Sequence, residues 1–169
     1  MQVEAVLDRA ALVRRWQELA ADPETPDYYE LNEYGEVIMS PRPTNDHQRA
    51  LQEVALALMN VLGPLAVPEI SVTTDRGIRV PDVVWMPQVR WDQVKGKTPL
   101  PFVPDLCAEV LSPGNTREEI AMKTAAYLRG GAKEVIVVGL KGEIEFFGAE
   151  GKRAASALGI VLTLPASLF

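Results

Sequence analysis

The sequence has one cysteine, one histidine, no long apolar run and no excess of basic residues. Each shortage excludes something. A single cysteine, Cys107, cannot close an internal disulfide, and it lies in an apolar stretch where packing suits it better than reactivity. One Cys and one His cannot supply the four side-chain ligands of a structural zinc cage. No segment approaches the roughly 20 apolar residues of a membrane-spanning helix. The opening MQVEAVLDRAALVRRW has scattered charges instead of the continuous apolar core of a secretory signal, so a cytoplasmic location is expected. The net charge of −6 counts against an extended basic surface for nucleic acid. It leaves room for a local basic patch, a metal-bridged phosphate or a basic groove made by an oligomer.

What is present is a globular composition, 47% apolar and 24% charged, in 169 residues. That length builds one domain with a sizeable core. We read 1–169 as that single domain, with 1–27 as an N-terminal helix and loop. The helix spans 8–22, capped by Asp8, with Leu12, Trp16 and Leu19 as its stripe. A loop over 23–35 leads to a short strand, EVIMS. Asn45 is the expected cap of a helix over about 46–62, with Gln48 at capping-box spacing and Leu51, Val54, Ala55, Leu58 and Leu62 inward. His47 falls on that inward face in the first turn. Residues 68–86 read as a hairpin turning near Asp75-Arg76-Gly77, its second strand over about 78–86. Pro81 marks an edge, a bulge or a strand start there. After a proline-rich loop, 87–104, come a buried strand at 106–111, a helix capped by Thr116 with Glu119, a buried strand at 134–140 and its hairpin partner at 143–148. The tail reads as a further strand or packed segment. Strand, helix and strand over 106–140 predict a parallel crossover. The fold class is α/β, a single mixed sheet flanked by helices.

Two acids break the pattern of their strands. Glu109 sits in the middle of DLCAEVLSP, where an unpaired carboxylate would cost several kcal/mol. Asp82 follows a proline in IRVPDVVWM. If the two strands are neighbours, the carboxylates converge and one pKa rises, unless a hard cation such as Mg²⁺ or Mn²⁺ joins them. Such a cation could generate hydroxide and neutralise charge developing on phosphorus. Lys123, on the helix after the Glu109 strand, could reach back over the strand end as an ammonium. On its own the helix pattern makes Ile120, Ala121, Ala125 and Leu128 the core face, with Glu119, Lys123 and Tyr127 on one strip.

Together, YYELNEYGEVIMSPRP, His47-Gln48, VPDVVW, PDLCAEVLSP and EEIAMKTAAYLRGGAKEVIVV resemble the PD-(D/E)xK, or restriction-endonuclease-like, superfamily over about 28–168. The closer likeness is to a bacterial family described as putative restriction endonucleases. The resemblance implies a restriction-endonuclease-like fold and a metal-dependent DNA endonuclease. Asp82 and Glu109 would be catalytic metal ligands, with the Val110 carbonyl as a third. The lysine expected two residues after the acid is replaced by Leu111, and Lys123 matches a lysine relocated to the next helix. His47 matches a common histidine, and Glu30 an upstream acid. Glu119 stands where relatives often have Asp, so a catalytic role is discounted for it. By analogy alone, a homo-oligomer, dimer or higher, is expected.

Plainer readings exist for each residue. Glu109 would be a salt-bridged core acid, Asp82 a strand-edge residue, His47 a satisfied half-buried histidine, Lys123 a surface partner of Glu119, and Tyr127 core packing. Asp105 would cap or end its strand. GKT at 96–98 is no phosphate-binding loop, since Trp91 stands where it needs Gly. The loop 87–104, with Trp85, Arg90, Trp91, Lys95 and Lys97 in or beside it, is the candidate nucleic-acid contact; an oligomer contact or plain surface loop is the alternative. The competing function is a non-catalytic nuclease-fold module for assembly or regulation.

Overall fold

The computed structural model describes residues 5–169; the first four residues of the N-terminal segment lie outside it. Helix α1, Arg9–Ala21, starts where the Asp8 side chain accepts the Ala11 N–H at 2.7 Å, and it buries Leu12 and Leu19. It packs over a small pair of strands, β4 (Val72–Thr74) and β5 (Gly77–Arg79). Strands β1 (Tyr29–Leu31) and β2 (Val37–Met39) form a second pair. At Gly77, φ is +100°, and a Cβ there would lie 1.9 Å from the Leu31 carbonyl oxygen. Glycine therefore lets β5 and β1 approach closely enough to bring Glu30 beside Arg79.

The main sheet has six strands in the order β10-β9-β8-β7-β6-β3. They are β3 (Ala66–Pro68), β6 (Val83–Trp85), β7 (Leu106–Val110), β8 (Glu134–Val138), β9 (Ile144–Gly148) and β10 (Gly151–Arg153). β7 and β8 run parallel, and β6 pairs with β7 antiparallel. Every residue of β7 and β8 is buried, as a strand covered on both faces requires. Helix α2, Asn45–Leu62, covers one face: Leu51, Val54 and Leu58 pack with Val83, Leu106, Ala108 and Ile136. Helix α4, Arg117–Arg129, covers the other, where Tyr127 packs with Val84, Cys107, Val135 and Val137. No helix of the described residues is long and apolar enough to cross a membrane.

Three expectations needed correction here. The long strand 78–86 is broken: its first part pairs in the small β4–β5 sheet, and β6 begins only after Pro81 and Asp82. Proline lacks the N–H that would carry one ladder across both sheets. The cap of α2 is Thr44 and not Asn45. Thr44 is extended after Pro43, and its side chain accepts the His47 N–H at 3.2 Å. The loop 87–104 contains a short helix, α3, Gln88–Gln93. Of the two readings of the tail, the packed segment holds: it ends in a single 3₁₀ turn, Ala166–Leu168, against the α2 side of the core.

Candidate active site

Asp82 and Glu109 meet because their strands are neighbours. Val83 pairs with Ala108, Val84 with Cys107 and Trp85 with Leu106. Continuing that ladder one step sets Asp82 opposite Glu109, on one face of the sheet. Asp82 Oδ2 accepts the Val110 N–H at 2.6 Å, so its side chain closes the last rung where β6 gives out.

Helix α4 supplies the groups that hold Glu109. Its inward stripe is Ile120, Lys123, Thr124 and Tyr127, at i, i+3, i+4 and i+7, while Ala121 faces solvent. The helix is therefore rotated from the face that its apolar residues suggest, and a lysine fills a core position. The Lys123 ammonium lies 3.4 Å from Glu109 Oε1 and 2.9 Å from Glu30 Oε1. Lys123 is buried, which rules out its reading as a surface partner of Glu119. Tyr127, expected as plain packing, donates its hydroxyl to Glu109 Oε1 at 2.6 Å. Both protein partners of Glu109 fall on the same oxygen, Oε1.

Glu30 is the residue whose place sequence reasoning left open. It is buried in the middle of β1, a strand we expected to be loop. It accepts the Val80 N–H at 2.8 Å, pairs with Arg79 at 3.2 Å, and shares Lys123 with Glu109. In YYELN it is a lone acid between Tyr29 and Leu31, both buried.

His47, from the first turn of α2, approaches from the other side. Its Nε2 lies 3.0 Å from the Val110 carbonyl oxygen and 3.5 Å from Asp82 Oδ2. Its Nδ1 is buried without a partner. Glu119 lines the cleft and is 3.4 Å from the Asn115 side-chain amide.

Charge crowding shapes the protonation states. Burial pushes the Glu109 carboxyl up to about 7; Lys123 opposes this, nearby Asp82 and Glu30 reinforce it, and the Tyr127 hydrogen bond opposes it again. Burial disfavours the charged form of Lys123, but Glu109 and Glu30 outweigh it and raise its pKa above the ordinary lysine value. Lys123 is thus a fixed ammonium. The hydrogen bond to Asp82 raises His47 against the opposing effect of burial. Burial also pushes the Cys107 thiol well up, in keeping with its packing role.

Glu30, His47, Asp82, Glu109, Val110, Glu119 and Lys123 line a cleft of about 1100 Å³. No group of three or more His, Cys, Asp or Glu side chains among the described residues is arranged to enclose a metal. The donors at this spot are two carboxylates and one backbone carbonyl. Hard oxygen donors of this kind, completed by several waters, suit Mg²⁺ or Mn²⁺ and not a soft metal.

The candidate nucleic-acid loop is largely engaged elsewhere. Trp85 packs with the α2-side core, Trp91 with the α4-side core, and Arg90 pairs with Asp105 while lying over the Phe102 ring. Lys95 and Lys97 stay exposed beside a separate cavity of about 340 Å³.

Comparison with known proteins supports the fold and the family. The crystal structure of a putative nuclease belonging to DUF820 from Anabaena variabilis ATCC 29413 is similar, with a TM-score of 0.67 at 19% identity, over 90% of this chain and 89% of that one. At that identity the likeness concerns the fold. No curated protein matches at a significant level. A family model described as Uma2, putative restriction endonuclease, matches residues 14–156, most of the chain. The protein therefore belongs to the Uma2 family of putative restriction endonucleases.

Proposed function

We propose that this protein is a Mg²⁺- or Mn²⁺-dependent DNA endonuclease that hydrolyses phosphodiester bonds. One observation carries the reading: two carboxylates from adjacent strands face one cleft beside a buried lysine whose ammonium Glu109 shares with Glu30. Asp82, Glu109 and the Val110 carbonyl would hold the cation. Bound there, it would neutralise the acids and supply Lewis-acid stabilisation to a phosphate.

The chain's own residues have separable roles. In the reaction a water oxygen bonds to phosphorus, the bond to the departing sugar oxygen breaks, and the proton lost by water ends on solvent or that oxygen. Lys123 is held charged and cannot accept the proton. It serves as a donor that orients water and offsets charge on the phosphoryl oxygens. Tyr127 and Lys123 fix Glu109 through Oε1. His47 steadies Asp82 and the Val110 carbonyl. Glu30 holds Lys123 in place with help from Arg79.

A second reading is a non-catalytic nuclease-fold module that serves assembly or regulation. It is favoured by the way Lys123 and His47 bring positive charge to the acids from the protein itself. The test is cleavage of DNA with Mn²⁺ or Mg²⁺ by the parent beside Asp82→Ala, Glu109→Ala and Lys123→Ala. Cleavage by the parent, lost in all three variants, is expected. No cleavage by any, or equal cleavage by all four, would give the second reading preference.

A further inference from the structure

The walls of the cleft differ from what a duplex-binding nuclease needs. Besides Glu30, Asp82 and Glu109, the cleft is lined by Asp27, Asp46, Glu69 and Glu119. Among the described residues its only Lys or Arg side chains are Arg42 and Lys123, and Lys123 is already shared by two acids. Duplex DNA presents a charge about every 1.7 Å of axis, and proteins hold it by neutralising many phosphates. This cleft cannot do so.

It offers apolar and aromatic surface instead. Tyr28, Met39, Leu140 and Phe169 are among the large apolar side chains that remain exposed, and all four line this cleft. Met39 is 64% exposed and Tyr28 38%. Tyr28 precedes Glu30 by two residues, and its carbonyl accepts the Ser40 N–H at 3.1 Å. By strand alternation Tyr28 shares the face of the β1–β2 pair that carries Glu30 and Ile38, while Met39, opposite Tyr29, lies on the other face at the cleft's edge. Unpaired bases have free faces for such side chains; paired bases do not.

Resting on the nuclease reading above, we propose that the substrate is single-stranded nucleic acid, with a base stacked on Tyr28 while one adjacent phosphate reaches the acids. Few phosphates are neutralised, so binding depends little on salt. The nucleic-acid contact then lies at 27–43 and not at the loop 87–104.

The experiment uses the whole protein with Ca²⁺ and a short single-stranded oligonucleotide carrying 2-aminopurine, beside the same strand annealed to its complement. We expect the single strand to bind at least tenfold tighter than the duplex and its emission to be quenched. The salt dependence should be shallow, with a log–log slope of about −1, as for one or two phosphates. Tyr28→Ala should weaken binding by roughly 5- to 150-fold, the loss of one stacked base, and Tyr28→Phe should restore it. Tyr28 is exposed, so neither change threatens the fold. Duplex bound or cleaved as well as the single strand, or Tyr28→Ala without effect, would overturn the inference and leave the nuclease reading standing. A dimer lost in Tyr28→Ala with strand binding unchanged would assign the apolar wall to a second copy and overturn it as well. Absence of both binding and cleavage for either form would overturn the two proposals together.

Discussion

Strand β7 carries one carboxylate beside each end, and the two live under opposite conditions. Asp105, just before Leu106, pairs with Arg90 and with Lys133 at 3.0 Å. Burial works against its ionised form, but those two cations outweigh it and hold its pKa below the ordinary value. Glu109, four residues on, shares one ammonium with Glu30 and faces Asp82 as well, and its pKa is pushed up to about 7. One acid has more positive charge than it needs; the other has less. The first is a structural element that ties α3 and the start of β8 to the sheet. The second stores unfavourable electrostatics at the lip of a large cleft, the usual mark of a site that awaits a ligand.

The largest expected contrast is in activity. Glu109→Ala or Lys123→Ala should lower DNA cleavage by about 10²–10³-fold or more, since the proposed mechanism places each at the reacting phosphate. Asp105→Asn should leave the rate per folded molecule unchanged. Cleavage assays normalised to folded protein by circular dichroism check both.

Stability should invert the ranking. Asp105→Asn should cost about 1–3 kcal/mol, because a buried, paired acceptor is lost while its cations, Arg90 half-buried and Lys133 exposed, return to water. Glu109→Gln at pH 8 should be neutral or stabilising, as it removes a buried charge from a crowded group of acids. Urea titration of both variants reads the difference.

The pH dependence follows with a definite sign. In an unfolded chain Glu109 loses its proton near 4.5; in the fold it keeps it to about 7. Its contribution is therefore complete below pH 4.5 and is lost as pH rises to 7 and above. His47, raised from 6.5, adds loss in the same direction above that pH. With a chelator present, thermal melts should drop by something on the order of 5 °C between pH 5 and 8. Glu109→Gln should flatten most of that slope. Asp105, with a lowered pKa, has the opposite sign: its contribution is present above pH 4 and fades below it.

The smallest effect sharpens the comparison most. Tyr127→Phe removes only a hydroxyl, at about 0.5–1.5 kcal/mol. Since that hydrogen bond stabilises the ionised Glu109, its loss should shift the pH slope upward, which a mere packing defect would not do.

How far the sequence disclosed all this differs by element. The apolar runs of β7 and β8 announced a doubly covered parallel pair, and the acids that break their strands' pattern, Glu109 within β7 and Asp82 just before β6, announced the candidate site. Lys123 was legible as chemistry but not as geometry: its burial depends on the rotation of α4, and only the packing of Tyr127 against Cys107 and Val137 settles that rotation. Glu30 was hidden for a related reason. Strand β1 is three residues long, too short for a periodic signal, and its burial comes from α1 and from the close approach at Gly77. The broken ladder at Pro81 was readable as a break, though not as a change of sheet.

The most direct measurement is calorimetric titration of Mn²⁺ into the parent and into Glu109→Gln at pH 6, in two buffers that differ in ionisation enthalpy. If Glu109 is the unsatisfied acid of a metal site, the parent binds Mn²⁺ and releases close to one proton per ion from that carboxyl, and Glu109→Gln loses that proton together with most of the affinity. Binding that is absent, or equal in both proteins with no difference in protons released, would contradict the account.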